Sequence, residues 1–349
     1  KLTKDTNSEI VVIGGGYTGL LCAINLIENH NLDVILVEAG KIGWGASSRN
    51  AGFNCLPPSK MSFKKMQSIY GREETKNFFK NSVEGSNHTK DIIKEYNIDC
   101  DVTGDSNYVV AHHKNKFEQI KEQAEVYKSE FGIETEIYSK EQFNEIGHGG
   151  TEQFGAFSYK PGFAINPLKF VNGIAKYALS KKLKIYENTK VDKIDKKNGS
   201  YILKTKEGSI RSKKIVVATN GFYQEGLISQ MDGRILPIIS NVIVTRKLNE
   251  DELNAHNFKT FSPIANTKNL LYYLPESSLG STISFKYGES YEMRKIRNYH
   301  TWNAMPYKER SLYNVFDSIQ IRAINSGIPA CIIEEAKVMY KKISETRIS

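Results

Sequence analysis

Residues 10–13 read Ile-Val-Val-Ile, four apolar positions with no polar alternation. A strand covered on both faces has this pattern, so a parallel-sheet strand is expected there. Gly14, Gly16 and Gly19 follow, and after them Leu20, Leu21, Ala23, Ile24, Leu26 and Ile27 give the broad apolar face of a helix lying on a sheet. A second buried strand, Val34 to Val37, ends at Glu38. Strand, glycine loop, helix, strand and acid stand in the order of a dinucleotide-binding unit. Gly14 permits the tight turn, Gly16 admits a pyrophosphate against the backbone, and Gly19 lets helix pack on strand. The N–H groups that open the helix face the phosphates, and Glu38, about 20 residues after the last glycine, can accept hydrogen bonds from ribose hydroxyls.

Downstream, the stretch from Lys64 to Tyr96 reads as helices with Phe78, Phe79, Val83, Ile92 and Ile93 in the core, and Phe117 to Phe131 reads as another. Asn166-Pro167 looks like an N-cap with proline in the first turn, followed by the stripe Leu168, Val171, Ile174, Ala175 and Ala178. Short strands are expected at Leu183 to Tyr186, Val191 to Ile194 and Tyr201 to Thr205, with Asn198-Gly199 as a hairpin turn. Glu207-Gly208 turns again before a buried strand at Ile215 to Ala218. That strand delivers Thr219, Asn220 and Gly221 to the same sheet edge as the first glycine loop.

Composition removes several classes of function. A chain of 349 residues, 40% of them hydrophobic, can bury a large core and would ordinarily divide into two domains. No apolar run approaches the roughly 18 to 20 residues of a membrane span. The first residues, KLTKDTNSE, are polar and carry no signal-peptide pattern. Cys22, Cys55, Cys100 and Cys331 lack CxxC or metal spacing, as expected of reduced thiols in a cytoplasmic protein without a metal. His112, His113 and His148 have no partner at metal spacing either and read as loop or surface residues. The formal charge of +9 raises a nucleic-acid reading, but the lysines are scattered without arginine and aromatic clustering, so no nucleic-acid partner is expected.

The segment Gly43 to Gly52, GWGASSRNAG, is too rich in small residues and hydroxyls for an ordinary connection, and it leaves the sheet edge where ligands of such folds bind. VEAGKIGWGASSRNAGF resembles the signature of the FAD-dependent oxidoreductases of the D-amino-acid-oxidase superfamily, in the branch of the gamma-glutamylputrescine oxidoreductase-like amine oxidases. The likeness continues through IYGREETKNFF, YNIDCDVTGDSNYVVAHH, GAFSYKPGFAINPLKFVNGIAKYALSKKLKIYENTKV and KKIVVATNGF, over residues 9 to 288.

The resemblance implies an α/β fold: a Rossmann-like FAD-binding domain of the glutathione-reductase type (residues 1–60, 161–234 and 289–349) and an interleaved antiparallel-sheet substrate domain (61–160 and 235–288). It implies FAD as cofactor. Gly14, Gly15, Gly16, Tyr17, Thr18, Gly19 and Leu20 would hold its pyrophosphate, and Glu38 with Ala39 its ribose. Gly45, Ala46, Ser47, Ser48, Arg49, Asn50, Ala51 and Gly52 would line the flavin side. Val191 would meet the adenine through its backbone, and Thr219, Asn220 and Gly221 would close from the other side.

The implied reaction is oxidation of the C–N bond of a primary or secondary amine or amino acid, with a gamma-glutamylputrescine-like substrate and oxygen or another electron acceptor as partners. Candidate catalytic residues are Asn50, Tyr273 and Lys286, the last as an oxygen-activating cation, and candidate pocket walls are Phe53, Tyr108, Tyr272 and Tyr273. The chain departs from the family after NTKNLLYY: Leu274 to Gly288 keeps only an echo in SFKYGES, and Asn325-Ser326-Gly327 alone can stand in for the family's final glycine turn. A helix carrying Ile332, Ala336, Met339, Tyr340 and Ile343 on one face is expected after it. Two alternatives stay open: a flavin-binding protein whose short C-terminus has lost or reduced catalysis, and an FAD-dependent step in tRNA aminomethyl-uridine modification, which would require a localised basic face.

Overall fold

The computed structural model describes residues 1–56, 61–235, 249–255 and 257–267, together with the backbone pairing of the strand segments 243–244, 271–274, 276–277 and 280–286. The chain begins with β1 (Thr6–Ile13), α1 (Tyr17–His30), β2 (Val34–Val37) and β3 (Phe53–Asn54). Then come α2 (Phe63–Tyr70), α3 (Arg72–Glu95), β4 (Asn107–Val110), α4 (Lys114–Phe131), β5 (Thr135–Tyr138), α5 (Lys140–Ile146), β6 (Ala156–Tyr159) and β7 (Phe163–Ala164). After α6 (Pro167–Ser180) lie β8 (Lys184–Tyr186), β9 (Val191–Lys197), β10 (Ser200–Thr205) and β11 (Ser209–Val217). The described chain ends with β12 (Ile243–Val244), α7 (Glu250–Ala255), β13 (Ile264–Asn266), β14 (Leu271–Leu274), β15 (Glu276–Ser277) and β16 (Gly280–Lys286).

Two sheets organise these elements. The first has the order β8-β2-β1-β11-β10-β9, parallel from β8 to β11 and antiparallel through β10 and β9. Ile10 and Val12 enter the core shared with α1 and α6, whereas Val11 and Ile13 enter the core that holds Val191, Leu203, Ile210 and Leu227. Burial on both faces is why the run 10–13 shows no alternation. Each such side chain contributes about 1.5–3 kcal/mol on burial. α6 is fixed at its start by Asn166, whose side chain accepts the Lys169 N–H at 3.1 Å, and by Pro167 in the first turn.

The second sheet has the order β12-β16-β14-β13-β4-β6-β5, with β15 paired to β16. One face packs Phe157 and Tyr159 against Phe79 of α3 and Ile120, Ala124 and Tyr127 of α4; the other packs Val110 and Ile264 against Phe143 of α5. A separate two-stranded ladder pairs β3 with β7 antiparallel. Among the described residues no helix is long and apolar enough to cross a membrane.

Several local expectations are corrected. The second sheet is not wholly antiparallel, since β4 and β13 pair in parallel. The strand expected at Ile215 to Ala218 begins earlier and runs over residues 209–217, because the same pleat pairs antiparallel with β10 and parallel with β1. Phe78 is 39% exposed. It lies about 100° round α3 from Phe79, off the arc of Thr75, Phe79 and Ser86 that faces inward. Leu168 is also exposed, in the first turn of α6 at the edge of the arc formed by Phe170, Val171, Ile174, Ala175 and Ala178. The expected turn at 325–327, the helix after it, and Cys331 lie outside the described residues.

Candidate functional site

β1, β2 and β11 end at one sheet edge, and the chain segments leaving them build a groove. Backbone bonds tie these ends together: Gly14 N–H donates to Val37 O at 2.8 Å, Ala218 N–H to Ile13 O at 2.8 Å, and Glu38 N–H to Tyr186 O at 2.9 Å. The glycines of the loop divide by what surrounds them. A Cβ on Gly14, whose φ is +111°, would lie 2.5 Å from Ala218 O, and one on Gly19 would lie 1.9 Å from Gly14 O. Both are demanded by the fold itself. A Cβ on Gly16 would meet only the Ser47 side chain, its Oγ at 2.7 Å and its Cβ at 3.8 Å, so what crowds this position is a side chain of the facing loop and not the sheet.

Gly16 caps α1 without any side-chain acceptor, which leaves the helix N-terminus able to bind an anion. Ser47 Oγ accepts the Tyr17 N–H at 3.1 Å. Thr18 is exposed beside it, whereas Leu20 is fully buried in the helix–sheet core and takes part only by holding the helix in place. The Tyr17 ring packs on Phe170 at 5.2 Å and its hydroxyl donates to Pro167 O at 3.3 Å. Burial pushes that hydroxyl's pKa up to about 12, so Tyr17 is a neutral donor rather than a base.

Glu38 is half-buried at the end of β2. Its Oε2 accepts the Gly15 N–H and its Oε1 the Gly40 N–H, each at 2.8 Å. Ala39 between them is exposed. The segment after β8 is drawn alongside by Asn188 N–H to Gly40 O at 2.7 Å, Thr189 N–H to Glu38 O at 2.8 Å and Ile42 N–H to Glu187 Oε1 at 2.7 Å. Val191, two residues after Thr189, is buried at the start of β9 in the core with Val11 and Ile13.

The loop 43–52 makes one wall, with Gly45 capping a 3-10 turn at Ala46–Ser48. Most of its polar groups fix the loop's own shape. Ser48 Oγ donates to Gly43 O and Gly45 O, and Asn50 Nδ2 donates to Ala46 O and Ser47 O at 3.2 and 3.0 Å. Asn50 Oδ1 accepts the Gly52 N–H at 2.8 Å. Arg49 Nε donates to Trp44 O at 2.7 Å, with its guanidinium carbon 5.4 Å from the Trp44 ring centre. After Ala51, Gly52 has φ +72°, and a Cβ there would sit 2.0 Å from Ile165 O.

Thr219, Asn220 and Gly221 form the opposite wall. Thr219 Oγ1 is buried and has no hydrogen-bond partner among the described residues. Leaving such a group unpaired costs about 1–3 kcal/mol. A helix N-terminus whose glycine cap brings no side-chain acceptor, a buried hydroxyl without a described partner after β11 and a carboxylate at the end of β2 together suit the pyrophosphate and ribose of FAD.

Sequence reading singled out neither Trp44 nor Phe222, although their rings meet at 5.5 Å across the two walls. An aromatic flanked by two glycines, as Trp44 is, was the available signal. Of the expected pocket walls, Phe53 is half-buried on β3, and Tyr108 packs on Tyr138 and Phe143 at 6.0 and 5.3 Å, a core position. Tyr272 and Tyr273 on β14 pair with Phe285 and Ser284, and Lys286 ends β16 opposite Leu271. The side chains of Tyr272, Tyr273 and Lys286 lie outside the described residues.

The chain is 27% identical over 251 residues to the gamma-glutamylputrescine oxidoreductase of Escherichia coli strain K12, covering 72% of this chain and 58% of that enzyme. This chain therefore spans little more than half of that relative's length. Among solved structures, the L-proline dehydrogenase from P. horikoshii superposes with TM-score 0.58 at 21% identity, over 85% of this chain and 76% of that one. The glycine oxidase from Geobacillus kaustophilus gives TM-score 0.57 at 16% identity, over 81% and 73%. Both share the fold. A family model described as FAD dependent oxidoreductase matches residues 9–324, and the chain belongs to that family.

Proposed function

We propose that the protein oxidises the C–N bond of a primary or secondary amine or amino acid, with a gamma-glutamylputrescine-like compound as the favoured substrate. The observation that carries this reading is the meeting, at one sheet edge, of the glycine loop, the Glu38 carboxylate and the orphaned Thr219 hydroxyl. In this assignment the α1 N-terminus binds the pyrophosphate, Glu38 accepts from the ribose, and Thr219 donates to the cofactor from the other wall. FAD, when bound, would supply the hydride acceptor, with oxygen or another acceptor as the final oxidant. The substrate enters with its nitrogen neutral, gives up the hydride on its α-carbon and a proton from nitrogen, and leaves as an imine that water converts to a carbonyl compound and an amine or ammonia. Substrate preference is supported by the resemblance of the 38–53 signature to the gamma-glutamylputrescine oxidoreductase branch and by the 27% identity to the Escherichia coli enzyme. Tyr273 and Lys286 are the residues to test for a role in turnover.

Purified protein should be yellow and release FAD on denaturation. Under anaerobic conditions, gamma-glutamylputrescine, putrescine, sarcosine, glycine and D-amino acids are mixed in turn with the loaded protein in a stopped-flow instrument. Bleaching of the flavin by at least one amine is expected. Failure of all of them, with dithionite reduction intact, would overturn the amine-oxidation reading and leave a flavin-binding protein.

A further inference from the structure

The groove is bounded by a closed circuit of contacts. Its floor is the glycine loop, joined to one wall by Tyr17 N–H to Ser47 Oγ at 3.1 Å and to the other at Gly14, whose absent Cβ would lie 2.5 Å from Ala218 O. The two walls then touch each other through Trp44 and Phe222, with ring centroids 5.5 Å apart and planes tilted by 60°. These rings are 53% and 59% exposed, so the pairing is not core packing. Trp44 is nonetheless well seated. Its N–H donates to Lys41 O at 3.0 Å, its carbonyl accepts from Arg49, and its Cγ lies 3.3 Å from where a Gly40 Cβ would be, beside the residue that holds Glu38.

FAD is bulky at both ends and narrow at its pyrophosphate. For a dinucleotide held at the α1 N-terminus between these two walls, the Trp44–Phe222 contact would be a bridge across it made by two exposed side chains. The glycine-loop contacts are made by backbone and short side chains set by the sheet; the Trp44–Phe222 contact is made by two water-exposed rings that can swing on χ1. We infer that Trp44 and Phe222 form a latch over the cofactor groove, opening to admit FAD and slowing its release when closed. The inference rests on the family's cofactor and not on the identity of any amine.

Release is followed by the recovery of flavin fluorescence after dilution of the loaded protein, for the parent, Trp44→Ala, Phe222→Ala, the double variant and Trp44→Phe. An exposed aromatic pair of this kind predicts release roughly three- to tenfold faster in each alanine variant. The double variant should be no faster than the faster single one, since both remove one shared contact. Trp44→Phe should stay close to the parent. A second readout uses no turnover: the emission difference between the parent and Trp44→Phe isolates Trp44 from Trp302, the other tryptophan of the chain, and should be quenched when FAD is added. Parent-like release from both alanine variants, or no quenching of the Trp44 component, overturns the latch. So does faster release that tracks a lowered melting temperature of the cofactor-stripped variants, since the rings would then be structural.

Discussion

Glu38 meets two backbone N–H groups, one on each oxygen. A carboxylate offers about four acceptor sites, so two remain for the ribose hydroxyls. Replacing it with glutamine turns one acceptor into a donor that faces a backbone N–H, and the loss of a charge-assisted acceptor costs about 1.5–3 kcal/mol. Glu38→Gln should therefore weaken FAD binding by roughly 10- to 150-fold in a fluorescence titration while far-ultraviolet dichroism stays unchanged. Parent-like affinity would place the ribose elsewhere. The glycines allow a sharper comparison at the same scale. Gly16→Val has only the Ser47 hydroxyl to displace and should give folded but colourless protein, whereas Gly19→Val drives a side chain into the Gly14 carbonyl and should fail to fold. Dichroism and flavin absorbance on the two purified variants distinguish the outcomes; a yellow Gly16→Val protein would remove this loop from the pyrophosphate site.

At the scale of elements, α6 links sequence to site, since Pro167 accepts the Tyr17 hydroxyl and Phe170 carries the Tyr17 ring. Its start rests on one side chain, the Asn166 amide that accepts the Lys169 N–H. Asn166→Ala should cost about 1 kcal/mol and lower the melting temperature by roughly 1–2 °C, with FAD still bound at saturation. Calorimetry that found no change would mean the cap is replaced by another acceptor. This helix, the first glycine loop and the Asn198-Gly199 turn, whose residues have φ of +49° and +72°, were legible in the chain because each is specified within a few residues. What was not legible depends on distant partners. The parallel pairing of Tyr108 with Ile264 joins positions far apart in sequence, and no local pattern announces it. Phe78 and Phe79 are adjacent aromatics, and only the docking of α3 on α4 decides that Phe79 is the buried one. The loop 43–52 was recognisable by composition, yet its division of labour was not: Asn50 and Ser48 brace the loop from within, and Ser47 is the side chain that reaches the glycine turn.

Over the whole molecule, the cofactor groove is assembled from three stretches that are remote in sequence: residues 14–20, 38–52 and 186–222. A ligand that bridges all three binds the folded state and not the unfolded one, so it stabilises by mass action, by about 2.7 kcal/mol when present at a hundredfold its dissociation constant. The gain should not be spread evenly. The strands β4 and β6 belong to the second sheet, and their packing against α4 does not involve the groove. Hydrogen exchange followed by mass spectrometry should show, on adding FAD, slowed exchange in peptides covering Gly14 to Leu20, Glu38 to Gly52 and Val217 to Phe222 together, with little change in Asn107 to Val110 or Ala156 to Tyr159. Protection of all three stretches in step with the rise in melting temperature is the expected result. Protection confined to the glycine loop would mean that the cofactor touches the α1 N-terminus without being enclosed, and the assignment of the Thr219 turn as its second wall would fall.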